Sequence, residues 1–321
     1  MQKNPKVSII IVCMDKLHNL YPCLHSIRKT TTVSYETLVV AYLFSHDHLL
    51  QAKKDFPWAT FIESNEIRGF SENNNLALRQ AKGEFCFVLN DDTELMMPTI
   101  DNLVESFNQC PSNTAIISPA IDSPYGKNIC GRPPMTWINQ IQSFIHYWKE
   151  AKQTEWINKE GLFKSYNILG AAFMIKTSIF QEMGWLDETY FFTPEDIALS
   201  TKLNNYGYEC WVNSDARVMH YEGMSGVSTS MIITCTKPAA DLGELIFFSD
   251  GKWYRRLILT CLGIVRTFAQ YIYHSIKGCF PPQPNPNKIL ALCNKNTFVI
   301  YFTKKTPKEI FTHYYLKLKR Q

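Results

Sequence analysis

The sequence predicts an α/β fold, a mixed but mostly parallel sheet flanked by helices, with an amphipathic helical extension at its C-terminal side. Three observations carry this. Short apolar runs rich in β-branched and aromatic residues recur: VSIIIVC at 7–13, ETLVVAYLF at 36–44, ATFIE at 59–63 and FCFVL at 85–89. The stretches between the first runs place apolar residues at helical spacing, which gives a β-α-β-α-β opening with strands buried on both faces. Finally, from Gly251 onward thirteen Lys and Arg face one acidic residue, Glu309, so a basic extension follows an acidic body within a net charge of +4.

Size and composition agree. A chain of 321 residues, 45% hydrophobic and 19% charged, is that of a folded protein with one large domain and an appendage. Ten Cys occur without CxxC pairs or a Cys/His array, so no zinc site is expected and most thiols read as small buried hydrophobes in a reducing cytoplasm. VSIIIVC is too short for a signal core and lacks a small-residue cleavage site, so no secretory signal is expected.

Taken in order, 7–13 reads as a central parallel strand. Leu17, Leu20, Tyr21, Leu24 and Ile27 form the apolar side of a helix over 17–29. The run at 36–44 is the second strand, 46–55 a helix and 59–63 the third strand. Gly69 opens a segment in which Ser71 and Asn74 resemble a weak helix start, and Leu76, Ala77, Leu78 and Ala81 continue a helix that Gly83 ends. A glycine before a helix N-terminus suits a phosphate on free backbone N–H groups, and equally an ordinary cap.

The fourth strand, 85–89, runs straight into Asn90, Asp91 and Asp92. Paired carboxylates at the carboxyl end of a strand stand where open α/β sheets hold ligands, and they repel one another unless a cation offsets them. They also suit a solvated turn. Pro98 starts a helix with Ile100, Leu103, Val104 and Phe107 inward, and 114–120 is a further strand. Residues 121–165 are loop-like, with Trp137, Trp148 and Trp156 suited to stacking on a sugar or to a satellite core.

YNILGAAFMIK at 166–176 is apolar about Gly170. Pro194 then sits at a helix start with Glu195 and Asp196 in the first turn, where the helix dipole favours acids. YECWV and ARVMH read as two short strands, the second ending in His220, either a hydrogen-bonded structural residue or a ligand. From 244 to 278 the chain is apolar over nearly a membrane-span length, but Arg266, Gln270, His274 and Lys277 stripe one face. Such a stripe argues against a spanning helix and for an amphipathic one, lying in a membrane interface or docked on the main domain. FPPQPNPN at 280–287 reads as a linker before a basic, aromatic tail.

In order, VSIIIVC, GFSENNNLAL, FVLNDDTEL, ISPAIDSPYGK, LGAAFMIK, the G-W-L-D-E-x-Y-F-F-x-x-E-D-I-A-L run at 184–199 and ARVMHYEG resemble the inverting family 2 glycosyltransferases, particularly the rhamnosyltransferase-like branch. The likeness covers roughly residues 6–225 and implies the Rossmann-like GT-A fold. By this resemblance Asn90-Asp91-Asp92 stands for the family's metal-binding DxD motif, with Asp92 as the more constant acid, Asp91 as an additional ligand, and His220 completing a Mn²⁺ or Mg²⁺ site at the donor diphosphate. Asp196 stands for the general base, with Glu195 as the runner-up. Gly69, Asn74 and Asn75 match the donor-binding segment, Cys13 and Asp15 stand at the end of its first strand, and Gly170 and Ala171 match the segment lining the sugar pocket.

The chain departs from the family pattern at Ala41, where a base-reading acid is usual, at Cys13-Met14-Asp15 in place of a Thr-Tyr-Asn-like triplet, and at Ala198 in EDIAL. The resemblance implies a nucleotide-sugar donor, a glycan or lipid-linked saccharide acceptor in cell-surface polysaccharide synthesis, and a cytoplasmic enzyme peripheral to the inner face of the membrane. An anionic membrane surface suits the basic extension, and no nucleic-acid readout motif is present. The expected domains are 1–240 for the transferase body, 241–279 for the amphipathic segment and 280–321 for linker and tail. The contrasting reading, favoured by Ala41 and Ala198, is a non-catalytic nucleotide-sugar or carbohydrate binder.

Overall fold

The computed structural model describes residues 4–124, 128–145, 159–221, 231–280 and 285–320. In chain order these carry β1 (Val7–Cys13), α1 (Leu17–Thr30), β2 (Tyr35–Tyr42), α2 (His46–Asp55), β3 (Ala59–Ser64), α3 (Phe70–Leu78), β4 (Phe85–Asn90), β5 (Thr93–Leu95), α4 (Thr99–Gln109), β6 (Thr114–Asp122), β7 (Asn128–Ile129) and α5 (Trp137–Ile145). Then follow β8 (Leu162–Ser165), β9 (Ala172–Lys176), α6 (Thr177–Glu182), α7 (Glu195–Asn205), β10 (Glu209–His220), α8 (Ile233–Ser249), α9 (Trp253–Lys277), α10 (Pro286–Phe298), a 3-10 turn (Val299–Phe302) and α11 (Pro307–Lys319). They gather into two compact units. One is built from Met1–Pro134, Glu155–Asp187 and Glu195–Ser225, the other from Met135–Thr154, Glu188–Pro194 and Gly226–Gln321.

The first unit is a single sheet in the order β3-β2-β1-β4-β9-β6-β10-β5, with β7 on β6 and β8 on β10. β3, β2, β1 and β4 run parallel. β9 is inserted antiparallel to both β4 and β6, and β10 runs parallel to β6. The central strands feed two cores because alternate residues face opposite sides. Ile9 and Ile11 of β1 and Phe87 and Leu89 of β4 pack with Leu20, Leu24 and Ile27 of α1. Ile10, Cys86 and Val88 pack on the other side with Ala77 and Leu78 of α3. Each Ile, Leu, Val or Phe side chain among these contributes about 1.5–3 kcal/mol by leaving water.

Two elements differ from the sequence expectations within this unit. α3 stops at Leu78, and Gly83 lies beyond it at a close backbone approach: a Cβ there would stand 2.4 Å from the Ser8 nitrogen. The two short strands expected at 208–220 are one twelve-residue strand, β10, because the register shift between Asn213 and Arg217 absorbs the irregularity without breaking the pairing to β6.

In the second unit the expected single segment at 244–278 is divided. α8 ends where Asp250 and Gly251 take left-handed φ values of 48° and 65°, a conformation glycine adopts without cost, and α9 starts afresh at Trp253. The expected linker and tail fold as helices. Asn285 caps α10 with Pro286 in its first turn, and Thr306 and Glu309 form a reciprocal capping box on α11 with Pro307 following the cap. Residues 281–284 of the Pro-rich run, and Trp148 and Trp156, lie outside the described residues. No helix among the described residues is long and apolar enough to cross a membrane.

Gly83→Ala is expected to destabilise the first unit by about 2–3 kcal/mol, since the atoms in the way are backbone and cannot swing aside. A fall in the urea midpoint at unchanged slope measures this.

Candidate active site

The carboxyl ends of the parallel strands meet at one edge of the first unit's sheet. Cys13 lies opposite Ala41 and Val12 opposite Asn90, so β1, β2 and β4 end side by side. Immediately past β4, Asp91 and Asp92 are both buried. They face different partners. The Asp92 side chain has no exposed surface, and its Oδ1 is 3.1 Å from His220 Nε2. His220 reaches it because the end of β10 pairs antiparallel with β5, His220 opposite Thr93, while the Tyr221 N–H donates to the Asp92 carbonyl at 3.0 Å.

Asp91 turns instead toward Cys13. The buried thiol lies between the Lys16 carbonyl oxygen, 3.6 Å away, and the Asp91 carboxyl. Burial pushes Asp91 up to about 6, with the Cys13 hydrogen bond pulling the other way and the Asp92 charge adding to the rise. Burial foremost, and then Asp91, hold the Cys13 thiol well above its ordinary value. Among the described residues no three His, Cys, Asp or Glu side chains stand together as a metal cluster. The expected trio of Asp91, Asp92 and His220 is therefore a pair in this structure, Asp92 with His220. That pair, one carboxylate oxygen and one imidazole nitrogen, fits Mn²⁺ better than Mg²⁺, and fits a cation that takes its remaining ligands from a diphosphate.

The edge continues to Asp196 through β9. The Asn90 N–H donates to the Ala171 carbonyl at 3.0 Å, and the next residue back, Gly170, donates its N–H to Asp196 Oδ2 at 3.1 Å. Arg132 places a guanidinium nitrogen 3.5 Å from the same oxygen. The other oxygen, Oδ1, accepts the Ile197 N–H at 2.8 Å. Asp196 is thus fixed as an oriented carboxyl group with 13% of its side chain exposed, enough to meet a ligand. Glu195, in the same first turn of α7, is buried.

Other expected donor residues are placed differently. Asn75 has its amide spent on one partner: Nδ2 donates to the Leu186 carbonyl at 2.9 Å and Oδ1 accepts the Leu186 N–H at 3.1 Å. Asn74 donates to the Phe70 carbonyl one turn back in α3. Both are buried, and Asn75 ties α3 to the backbone at Leu186. The Gly69 N–H donates to Glu72 Oε2 at 3.0 Å, the hydrogen bond of a helix cap. Asp15, with a left-handed φ of 52°, sits 2.8 Å from His48 Nδ1 and accepts the Ser45 N–H at 3.2 Å.

Arg132 and the Asp15–His48 pair were not legible beforehand. Arg132 lies in the loop-like stretch, brought to Asp196 by its bridge to Asn167, a pairing across thirty-five residues that no local pattern encodes.

With this geometry in view, residues 8–184 match the profile of a family described as Glycosyl transferase family 2. An uncharacterised protein of Sinorhizobium fredii, y4gI, is 25% identical over 238 residues, which are 70% of this chain. The chain spans about a quarter of the length of that curated relative. Among solved structures, GalNAc-T7 with UDP, GalNAc and Mn²⁺ superposes with a TM-score of 0.54 at 16% identity, covering 98% of this chain and 59% of that one. A mannosyltransferase from Pyrobaculum calidifontis, PcManGT, in complex with GDP-Man and Mn²⁺ gives 0.53 at 15% identity, covering 98% and 87%. At these identities the likeness is one of fold, the GT-A arrangement.

Asp92→Ala is expected to weaken Mn²⁺ binding in the presence of a nucleoside diphosphate at least tenfold. The paramagnetic resonance of free Mn²⁺ reads this directly, and equal affinity in the variant would remove Asp92 as a ligand.

Proposed function

The chain belongs to glycosyltransferase family 2, and from that premise we propose that it is a metal-assisted, inverting transferase of the rhamnosyl- or hexosyltransferase kind. It moves a sugar from a nucleotide donor to a glycan or lipid-linked saccharide in cell-surface polysaccharide synthesis. The observation that carries the proposal is the fixed Asp196 carboxylate, held by the Gly170 N–H and Arg132 one strand-end from the Asp92–His220 pair.

In this reading Asp196 accepts the proton of the acceptor hydroxyl while the hydroxyl oxygen forms its bond to the anomeric carbon. The bond from that carbon to the diphosphate oxygen breaks on the opposite face, its electron pair leaves with the nucleoside diphosphate, and the configuration inverts. Arg132 and the Gly170 N–H hold one oxygen of Asp196 and aim the carboxyl group. Gly170 lies directly against the base: a Cβ there would be in van der Waals contact with the Asp196 side chain at 3.4 Å. Asp92 and His220 would hold a divalent cation, Mn²⁺ or Mg²⁺, whose chemistry is to neutralise charge on the departing diphosphate. The two solved relatives carry Mn²⁺ with UDP or GDP-Man, which supports this donor class.

Nucleobase contact falls to the end of β1 and β2. Ala41 offers no polar side chain, and the carboxylate present nearby is Asp15, joined to Ser45 and His48. A cytoplasmic site peripheral to the inner membrane face suits a lipid-borne acceptor. The second reading, a non-catalytic binder, is favoured by Ala41 and Ala198 and by the Asn75 amide, both ends of which the Leu186 backbone occupies.

Asp196→Asn separates the two. It is expected to abolish transfer, and any slow hydrolysis of the donor, while donor affinity stays within a few-fold. Unchanged turnover would remove Asp196 as the base, and no turnover by the unaltered chain on any of a panel of nucleotide sugars with Mn²⁺ would favour the binder.

A further inference from the structure

The second unit carries an amphipathic helix mounted with its polar side in. Along α9 the buried positions are Leu259, Gly263, Thr267 and Gln270, recurring every three or four residues. Of the polar stripe noted in the sequence, Arg266, Gln270 and His274 lie on this inner half, while Lys277 at the end of the helix is exposed. His274 Nδ1 is 2.8 Å from Asn287 Oδ1 of α10, and the Arg266 guanidinium lies 4.1 Å from the centre of the Phe144 ring of α5. Thr267 pairs with the Tyr301 hydroxyl at 3.5 Å, and Gly263 is a glycine because a Cβ there would meet that hydroxyl at 2.3 Å.

The opposite side is apolar and open. Trp253, Leu257, Val265, Phe268, Ile272 and Ile276 share it, each between 43% and 76% exposed. The stripe extends through ring contacts, Phe268 to Phe298 at 6.2 Å and Phe298 to Phe302 at 5.2 Å, and Phe302 is itself exposed. An open apolar stripe along a twenty-five-residue helix, about 37 Å long, far exceeds the scattered exposed side chains of an ordinary surface.

Charge selects what covers it. Between Asp250 and Glu309 there is no acidic residue and there are ten Lys and Arg. Arg256, Lys277, Lys288 and Lys295 are exposed, and exposed Lys304 and Lys305 follow Phe302 after Thr303. A second copy of this chain would oppose like charge with like. An anionic lipid surface offers hydrocarbon for the stripe and phosphate for the cations, and Trp at one end of the helix suits the headgroup level.

We propose that the outer face of α9, with Phe302, inserts in the plane of an anionic bilayer interface, with the Lys and Arg around it on lipid phosphates. This deepens the peripheral-membrane reading above and rests on it, naming the surface that makes the attachment.

The test is flotation of the full chain with two vesicle preparations, phosphatidylcholine alone and phosphatidylcholine with about one-third phosphatidylglycerol. The chain is expected to float with the anionic vesicles, to do so less as salt rises, and to stay unbound with the neutral ones. Val265→Asp with Ile276→Asp should cut vesicle affinity at least tenfold with the melting temperature unchanged, since both side chains are exposed. Lys304→Glu with Lys305→Glu should weaken binding to anionic vesicles alone. Failure of the chain to float, or flotation unaltered by the aspartates, would overturn the proposal. So would a concentration-dependent dimer in sedimentation that the same aspartates dissolve, which would assign the face to a second copy. Hydrolysis of a soluble donor sugar, measured in parallel, reports on the transferase reading and is expected to be equal in all these variants.

Discussion

A carboxylate with no exposed surface must find a polar partner or forfeit several kcal/mol of solvation, and Asp92, 3.1 Å from the His220 imidazole, is such a carboxylate. The end of the first unit's sheet supplies that partner. His220 is delivered by the last residues of β10, which are fixed on one side by β5 and on the other by β6. The register shift at Asn213–Arg217 sets where β10 ends, and beyond it the strand is secured by the Arg217–Asp122 ion pair and by the Thr99 hydroxyl donating to the Arg217 carbonyl at 2.6 Å. A strand one residue out of register would turn His220 to the other face of the sheet.

The same edge explains how two neighbouring acids come to differ. Asp91 and Asp92 are adjacent in sequence and both buried, yet one meets a thiol and the other an imidazole. Successive residues past a strand end point in different directions, so a doubled acid presents one carboxylate to each side. The antiparallel insertion of β9 then sets Gly170 and Ala171 beside Asn90, and the Gly170 N–H orients Asp196 from across the sheet. The Asp92–His220 pair and the oriented Asp196 are thus joined through backbone hydrogen bonds.

Much of this was legible in the sequence, and the limits have physical causes. β1, β2, β3 and β4 were readable because strands buried on both faces leave continuous apolar runs. Asp92, His220 and Asp196 were singled out by their place in ordered motifs. Arg132 was not, since its approach to Asp196 depends on a bridge to Asn167 far along the chain. Asn74 and Asn75 matched a pattern of residue types, but an amide satisfied internally has the same one-letter code as one offered to a ligand. In the second unit the basic composition read as linker and tail, whereas Asn285 and the Thr306–Glu309 box start helices there. The sequence showed that α9 is amphipathic; only packing shows which side faces out.

The account turns on a cation shared between this site and a nucleoside diphosphate. The most direct measurement is a thermal-shift screen of nucleoside diphosphates with Mn²⁺ and with the metal chelated. A ligand at one hundred times its dissociation constant adds about 2.7 kcal/mol to the native state, a shift of several degrees. The prediction is that at least one nucleoside diphosphate raises the melting temperature with Mn²⁺ and loses that effect with chelator. An equal shift with and without metal, or none across the panel, would contradict it.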